Sequence, residues 1–274
     1  VTQTAETGLG APAPVSRRDR LRAATKEEII QTARRLLVLQ GPEAVSLRAI
    51  AREMGMTAPG LYRYFGSHEE LIRHVVAGIF TELGADLHQA IHAAGDGFRA
   101  SAAPAAPGAE RLDCGCTREQ HAAKLTVKMV AACQEFRRWA LGHTSEFALI
   151  FGAPLPGLDD GRYDIADQCA LQFAGTFFAL FLELWNDLRF PVAAPDEIDP
   201  GLRDQLTRYR DALGTDVPAG AMLTFLRCWG LLYGAVSMEV FGHFGFALDD
   251  PEPMFELTLG DLARLVGLRY PATP

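Results

Sequence analysis

Hydroxyl, guanidinium and imidazole side chains lie close together between residues 46 and 68: Ser46, Arg48, Thr57, Tyr62, Arg63, Tyr64 and His68. Arginine offers a fixed fork of donors that fits a guanine edge or a phosphate. Hydroxyl and imidazole groups suit phosphate oxygens. Ala58, Pro59 and Gly60 have no side-chain hydrogen-bonding group, so they can offer only close approach and apolar contact with a thymine methyl. Hydrogen-bonded readout falls to Arg48, Arg63, Thr57 or Tyr64. Tyr62 reads as a phosphate ligand, and Leu61 and Phe65 as core.

Other chemistry is poorly represented. Cys114-Gly-Cys116 with His121 nearby falls short of the four ligands of a closed metal site, so no metal is expected. The sequence holds no Gly-rich phosphate loop, no Gly-x-Ser-x-Gly elbow and no His-Glu-x-x-His pair. Asp159-Asp160 sits in a Gly- and Pro-rich linker and reads as a solvated loop. Neither enzymatic activity nor a cofactor is expected.

The elements that must hold Ser46 to His68 can be read from periodicity. A first helix is expected from a capping box at Thr25–Glu28, with Ile29, Ala33, Leu36 and Leu37 on one face and Gly41-Pro42 as its stop. A second follows an N-cap at Ser46 and ends at Gly55. Thr57 caps a third, Ala58 to Phe65, with Pro59 harmless in its first turn. Ser67 and Glu70 form a capping box for a fourth, His68 to Ala94. Residues 1–24 read as a disordered basic arm, carrying Arg17, Arg18, Arg20 and Arg22. Residues 25–75 form the helix-turn-helix unit, and 76–270 the remaining body, with 95–116 as a flexible loop. Later helices are expected at about 117–141, 144–151, 164–189, 202–213, 219–244 and 252–268. No stretch alternates with period two, so the chain reads as all-α.

Two short helices joined at Gly55-Met56-Thr57 can set the second helix in the major groove. Val45 to Ile72 (VSLRAIAREMGMTAPGLYRYFGSHEELI) resembles the N-terminal domain of the TetR family of transcriptional regulators. The turn glycine, Leu61, Tyr62 and Phe65, and Glu70-Leu71 fall at the family's offsets over residues 25 to 80. The resemblance implies DNA contacts at Ser46, Leu47, Arg48, Thr57, Ala58, Pro59, Gly60, Tyr62, Arg63, Tyr64 and His68. It also implies a C-terminal domain for ligand binding and dimerisation. Phe147 to Gly157 and Trp229 to His243 resemble the subtype named for a Trp-His-Gly motif, with Tyr233 in the histidine's place.

Composition agrees with a regulator. Residues 1–74 hold 11 Lys and Arg against 8 Asp and Glu, a net of +3, while the remainder is acidic at −11. Segregated charge of this kind directs only the first part to a polyanion. The body concentrates aromatic residues, and Trp139, His143, Phe147, Phe173, Thr176, Phe177, Trp185, Trp229 and Tyr233 are the candidate ligand contacts. Gln172, Asn186 and Glu239 are further polar candidates. A largely apolar or aromatic small-molecule effector follows. The last two long helices, with Gly230, Gly234, Ala235 and Ser237, are the expected homodimer interface on palindromic operator DNA. The reading is a repressor that its ligand releases. The five cysteines are expected as reduced thiols, mostly buried. No apolar run approaches the roughly 20 residues of a membrane span, and no signal pattern opens the chain, so a cytoplasmic location is expected.

Overall fold

Ser16 opens the first helix. Its hydroxyl accepts from the Asp19 backbone N–H at 3.1 Å and donates to the Asp19 carboxylate at 2.6 Å. The computed structural model describes residues 16–41, 45–101, 116–152 and 165–270. Ten α-helices are described: α1 Arg17–Gln40, α2 Leu47–Glu53, α3 Ala58–Leu61, α4 His68–Ser101, α5 Arg118–Gly142, α6 Thr144–Phe151, α7 Ile165–Leu188, α8 Pro200–Ala212, α9 Ala219–Val240 and α10 Glu252–Leu265. One short 3-10 turn, Pro195–Glu197, precedes α8. The protein is all-α, with a helix-turn-helix domain followed by a helical C-terminal domain. It divides into two units at Val75/Val76, a boundary that falls inside α4.

The first unit closes over Ile29, Ala33, Leu36 and Leu37 of α1, Leu47 and Ile50 of α2, Leu61, Phe65 and Leu71, all buried. Burying apolar area of this kind is the main favourable term for so small a core. Two expectations for its N-terminal end need correction. Residues 17–24 are helical, not a disordered arm, because Ser16 rather than Thr25 supplies the cap. Thr25 lies inside α1, where its hydroxyl donates to the Leu21 carbonyl at 3.0 Å. Residues 1–15 and Pro42 lie outside the described residues.

In the second unit, α9 packs against α5, α7, α8 and α10. Phe80, Phe136, Phe147, Phe151, Phe173, Phe177, Trp229 and Tyr233 mesh ring against ring, for example Phe136–Trp229 at 5.8 Å and Phe147–Phe151 at 5.0 Å between centroids. Such tilted and edge-on pairs suit the ring quadrupoles. Arg137 of α5 donates twice to Glu239 of α9, both at 2.7 Å, and its guanidinium lies 5.0 Å from the centre of the Phe255 ring of α10. That one side chain ties three helices. At the other end of α5, Lys128 binds Glu183 (2.6 and 2.8 Å) and His121 binds Asp187 (2.6 Å), both on α7.

Two further expectations change here. Helix α4 continues to Ser101, so the first part of the expected 95–116 loop is helical; 102–115, with Cys114, lies outside the described residues. The linker holding Asp159 and Asp160 lies outside them too. Helices α7 and α9 are long and apolar enough to cross a membrane, against the expectation that no run approaches that length. Their rings instead form much of the aromatic core just described.

Candidate nucleic-acid interface and ligand cavity

Helix α2 ends in a pair of bonds that fixes the turn. The Gly55 N–H donates to the Arg52 carbonyl at 3.2 Å and the Met56 N–H to the Ala51 carbonyl at 2.8 Å. This Schellman closure requires a left-handed residue between them, and Gly55 has φ +64°. The chain then enters α3 through Thr57, whose hydroxyl accepts from the Gly60 N–H at 3.3 Å. The same role is taken at α2 by Ser46, which accepts from the Ala49 N–H at 3.2 Å. Beyond Leu61 the expected helix loosens into hydrogen-bonded turns that reach Phe65. Helix α4 starts with Ser67 accepting from the Glu70 N–H at 3.1 Å, while the Glu70 carboxylate accepts from the Gly66 N–H at 2.7 Å. The Glu69 carboxyl at this start is held below its ordinary pKa by its own backbone N–H and the Ser67 hydroxyl.

This frame leaves Ser46, Arg48, Thr57, Pro59, Tyr62 and Arg63 exposed, with Ala58, Gly60, Tyr64 and His68 half-buried. Leu47 differs from its sequence role. It is buried at 6 % exposure, so its side chain belongs to the core and not to a DNA surface. Leu61 and Phe65 are fully buried, as expected. His68 bonds through Nε2 to the Val45 carbonyl at 2.5 Å, and the acceptor dictates that Nε2 carries the proton. Tyr64 lies under Arg22, whose guanidinium is 5.4 Å from the ring centre.

In the second unit, a narrow cavity of about 60 Å³ lies among α5, α7, α9 and α10. Met129, Cys133, Phe177, Leu180, Phe181, Leu184, Phe225, Cys228, Trp229, Leu232, Leu262 and Val266 line it. Burial pushes the Cys133 thiol up to about 12, with the neighbouring Cys228 adding to the shift, and burial pushes Cys228 up to about 11.

Of the nine sequence candidates, only Phe177 and Trp229 line this cavity. Trp139, Phe147 and Phe173 are buried in the core, Trp139 stacked on His143 at 4.8 Å. His143 bonds through Nδ1 to the Trp139 carbonyl at 2.9 Å. The Tyr233 hydroxyl donates to the Phe151 carbonyl at 2.6 Å. Trp185 is buried against Phe190. Thr176 and Gln172 line a separate open groove with His88 and Glu183. Glu239 is held by Arg137, and Asn186 accepts a long bond from Arg189 at 3.5 Å. Sequence reasoning missed Met129, Cys133 and Cys228 as wall residues, although two of them were expected as buried thiols inside apolar helices. Cys116 departs from the reduced-thiol expectation: it is disulfide-bonded.

A turn fixed in this way, with arginine and hydroxyl groups exposed around it, defines a helix-turn-helix DNA-binding protein. The description "Bacterial regulatory proteins, tetR family" matches residues 29–75, and "Tetracyclin repressor-like, C-terminal domain" matches residues 129–262. The chain belongs to the TetR family of transcriptional regulators, a non-enzymatic family. It is 25% identical over 246 residues to the HTH-type transcriptional regulators Rv1816 of Mycobacterium tuberculosis and Mb1846 of Mycobacterium bovis, covering 88% of this chain and 92% of each relative. Among solved structures it resembles the putative regulatory protein SCO4313, with a TM-score of 0.62, 26% identity, and 90% of this chain and 98% of that chain covered. A protein of unknown function from Rhodococcus sp. RHA1 shares the fold at a TM-score of 0.55 and 16% identity, over 89% and 95% of the two chains.

Proposed function

We propose that this regulator is a cytoplasmic repressor that binds palindromic operator DNA as a homodimer and is released by a small, largely apolar ligand. The exposure of Arg48, Thr57, Tyr62 and Arg63 around the Gly55 turn is the observation that carries the DNA half. Arg48 and Arg63 read base edges or phosphates, Tyr62 contacts backbone, and Ala58, Pro59 and Gly60 allow close approach to the groove floor. Ser46, Thr57 and His68 fix the helices that present them.

The cavity among α5, α7, α9 and α10 is the ligand site in this reading, with Phe177 and Trp229 on its wall. Its walls offer hydrocarbon, sulfur and ring faces, which favours a ligand with little polarity. The ligand acts by binding one conformational state better than the other. We also place the C-terminal domain in the Trp-His-Gly subtype; Tyr233, in the histidine's position, has a structural bond to Phe151 in keeping with that substitution.

Dimerisation is supported by apolar side chains left on α9 and α10: Leu226, Leu231, Met254 and Leu257, the last 67 % exposed. Gly230 and Gly234 lie in the same stretch of α9, and, among the described residues, a Cβ on either would meet nothing within 4 Å beyond its own helix turn. A second copy of the same two helices would cover this face.

Mobility shift against fragments flanking the gene, followed by ligand screening for release, tests the whole scheme. A salt-sensitive shift at a palindrome is expected. Failure of the folded dimer to shift any genomic fragment would remove the DNA half of the proposal, and a ligand-insensitive shift would remove the sensor half.

A further inference from the structure

Helix α1 begins long before it has anything to bury. Its first buried residue is Ile29, so residues 17–28, just over three turns and about 18 Å of helix, stand outside the core. An unburied helix of that length is marginal in water unless something holds it. Along one face run Arg18, Arg22 and Lys26 at four-residue spacing, an arrangement whose like charges work against the helix.

Two of these cations are accounted for within the unit. Arg22 donates through Nη2 to the Arg63 carbonyl at 2.7 Å and lies over the Tyr64 ring. Lys26 lies 5.0 Å from the centre of the Phe65 ring. Both therefore fasten the start of α1 to the end of the recognition element. Arg18 lies one turn further out on the same face, exposed, with no partner among the described residues.

We infer that this free-standing start of α1 is a second DNA contact, in which Arg18 meets a backbone phosphate beside the bases read by α3. Arg22 is the positioning residue: its bond to Arg63 sets where Arg18 lies. The inference rests on the DNA-binding reading above. Charge complementarity names the occupant, because a row of cations carried beside the recognition element suits the phosphate backbone.

The test measures binding of the full chain to a duplex that it has itself selected from a random pool, across a salt series. The slope of log affinity against log salt counts phosphates at about 0.9 each. Arg18→Gln is expected to lower that slope by about one while leaving base preference unchanged. Arg22→Ala should give the same loss, and adding Arg18→Gln to it should change little further, because the two act as a unit. Arg22→Lys, which keeps the charge but not the planar fork, should recover the slope only partly. Thermal melting checks that each variant is folded. An unchanged slope in Arg18→Gln, with the parent still binding in a salt-sensitive way, overturns this inference alone. A parent chain that selects no duplex overturns the DNA-binding reading with it.

Discussion

Arg48 is the exposed arginine at the start of α2, and its variant separates two roles. If it reads a base, Arg48→Ala relaxes preference at one operator position by about 1–3 kcal/mol, visible in binding to a panel of single-base changes. Uniform weakening across that panel would reduce it to a phosphate contact. At the cavity wall, Cys133 and Cys228 hold their protons well above the ordinary thiol value of 9.0. The unfolded chain releases those protons first, so unfolding is unaffected below about pH 9 and becomes easier above it, with the loss levelling off past about pH 12. Denaturant melts at roughly pH 8 and pH 10.5 should show this fall, and Cys133→Val should make it shallower. Tyr270, also pushed up to about 12 by burial and its bond to Glu256, leaves a residual slope in that variant.

At the scale of elements, local signals were legible where one residue dictates the outcome. Ser46, Gly55, Thr57 and Ser67 fixed helix ends because caps and left-handed turns admit few residue types. The start of α1 was not legible from the capping box at Thr25, since Ser16 offers an equivalent cap nine residues earlier and nothing between them breaks a helix. Ligand contacts were the hardest to read. Aromatic type distinguishes core from surface, but not a filled core from a cavity wall, which depends on how α5, α7 and α9 mesh. Two variants probe the elements directly. Gly55→Ala forces a Cβ into a left-handed turn and should lower unfolding free energy by about 1–2 kcal/mol, read by urea melts. Arg137→Ala leaves Glu239 without its partner, 8 % exposed between α5 and α9, and should lower stability by about 3 kcal/mol, with the double variant Arg137→Met/Glu239→Leu recovering much of it.

For the whole molecule, the proposed pairing of α9 and α10 makes oligomeric state and DNA affinity a single property. Leu231→Glu with Leu257→Glu places charge on the face assigned to the partner and should give a folded monomer in sedimentation, with operator affinity at least about tenfold weaker, because one half-site no longer helps hold the other. A folded dimer from that double variant would move the interface elsewhere. The cavity carries a different consequence. Three of the polar groups expected to greet a ligand are already committed elsewhere: Tyr233 to Phe151, Glu239 to Arg137, His143 to Trp139. A ligand bound by the apolar walls proposed above would be selected by fit alone, and one methylene more or less is worth only about 1–3 kcal/mol. If this cavity is the ligand site proposed above, its natural output is a graded roster of related hydrophobic compounds, ranked by bulk, in place of a single privileged inducer.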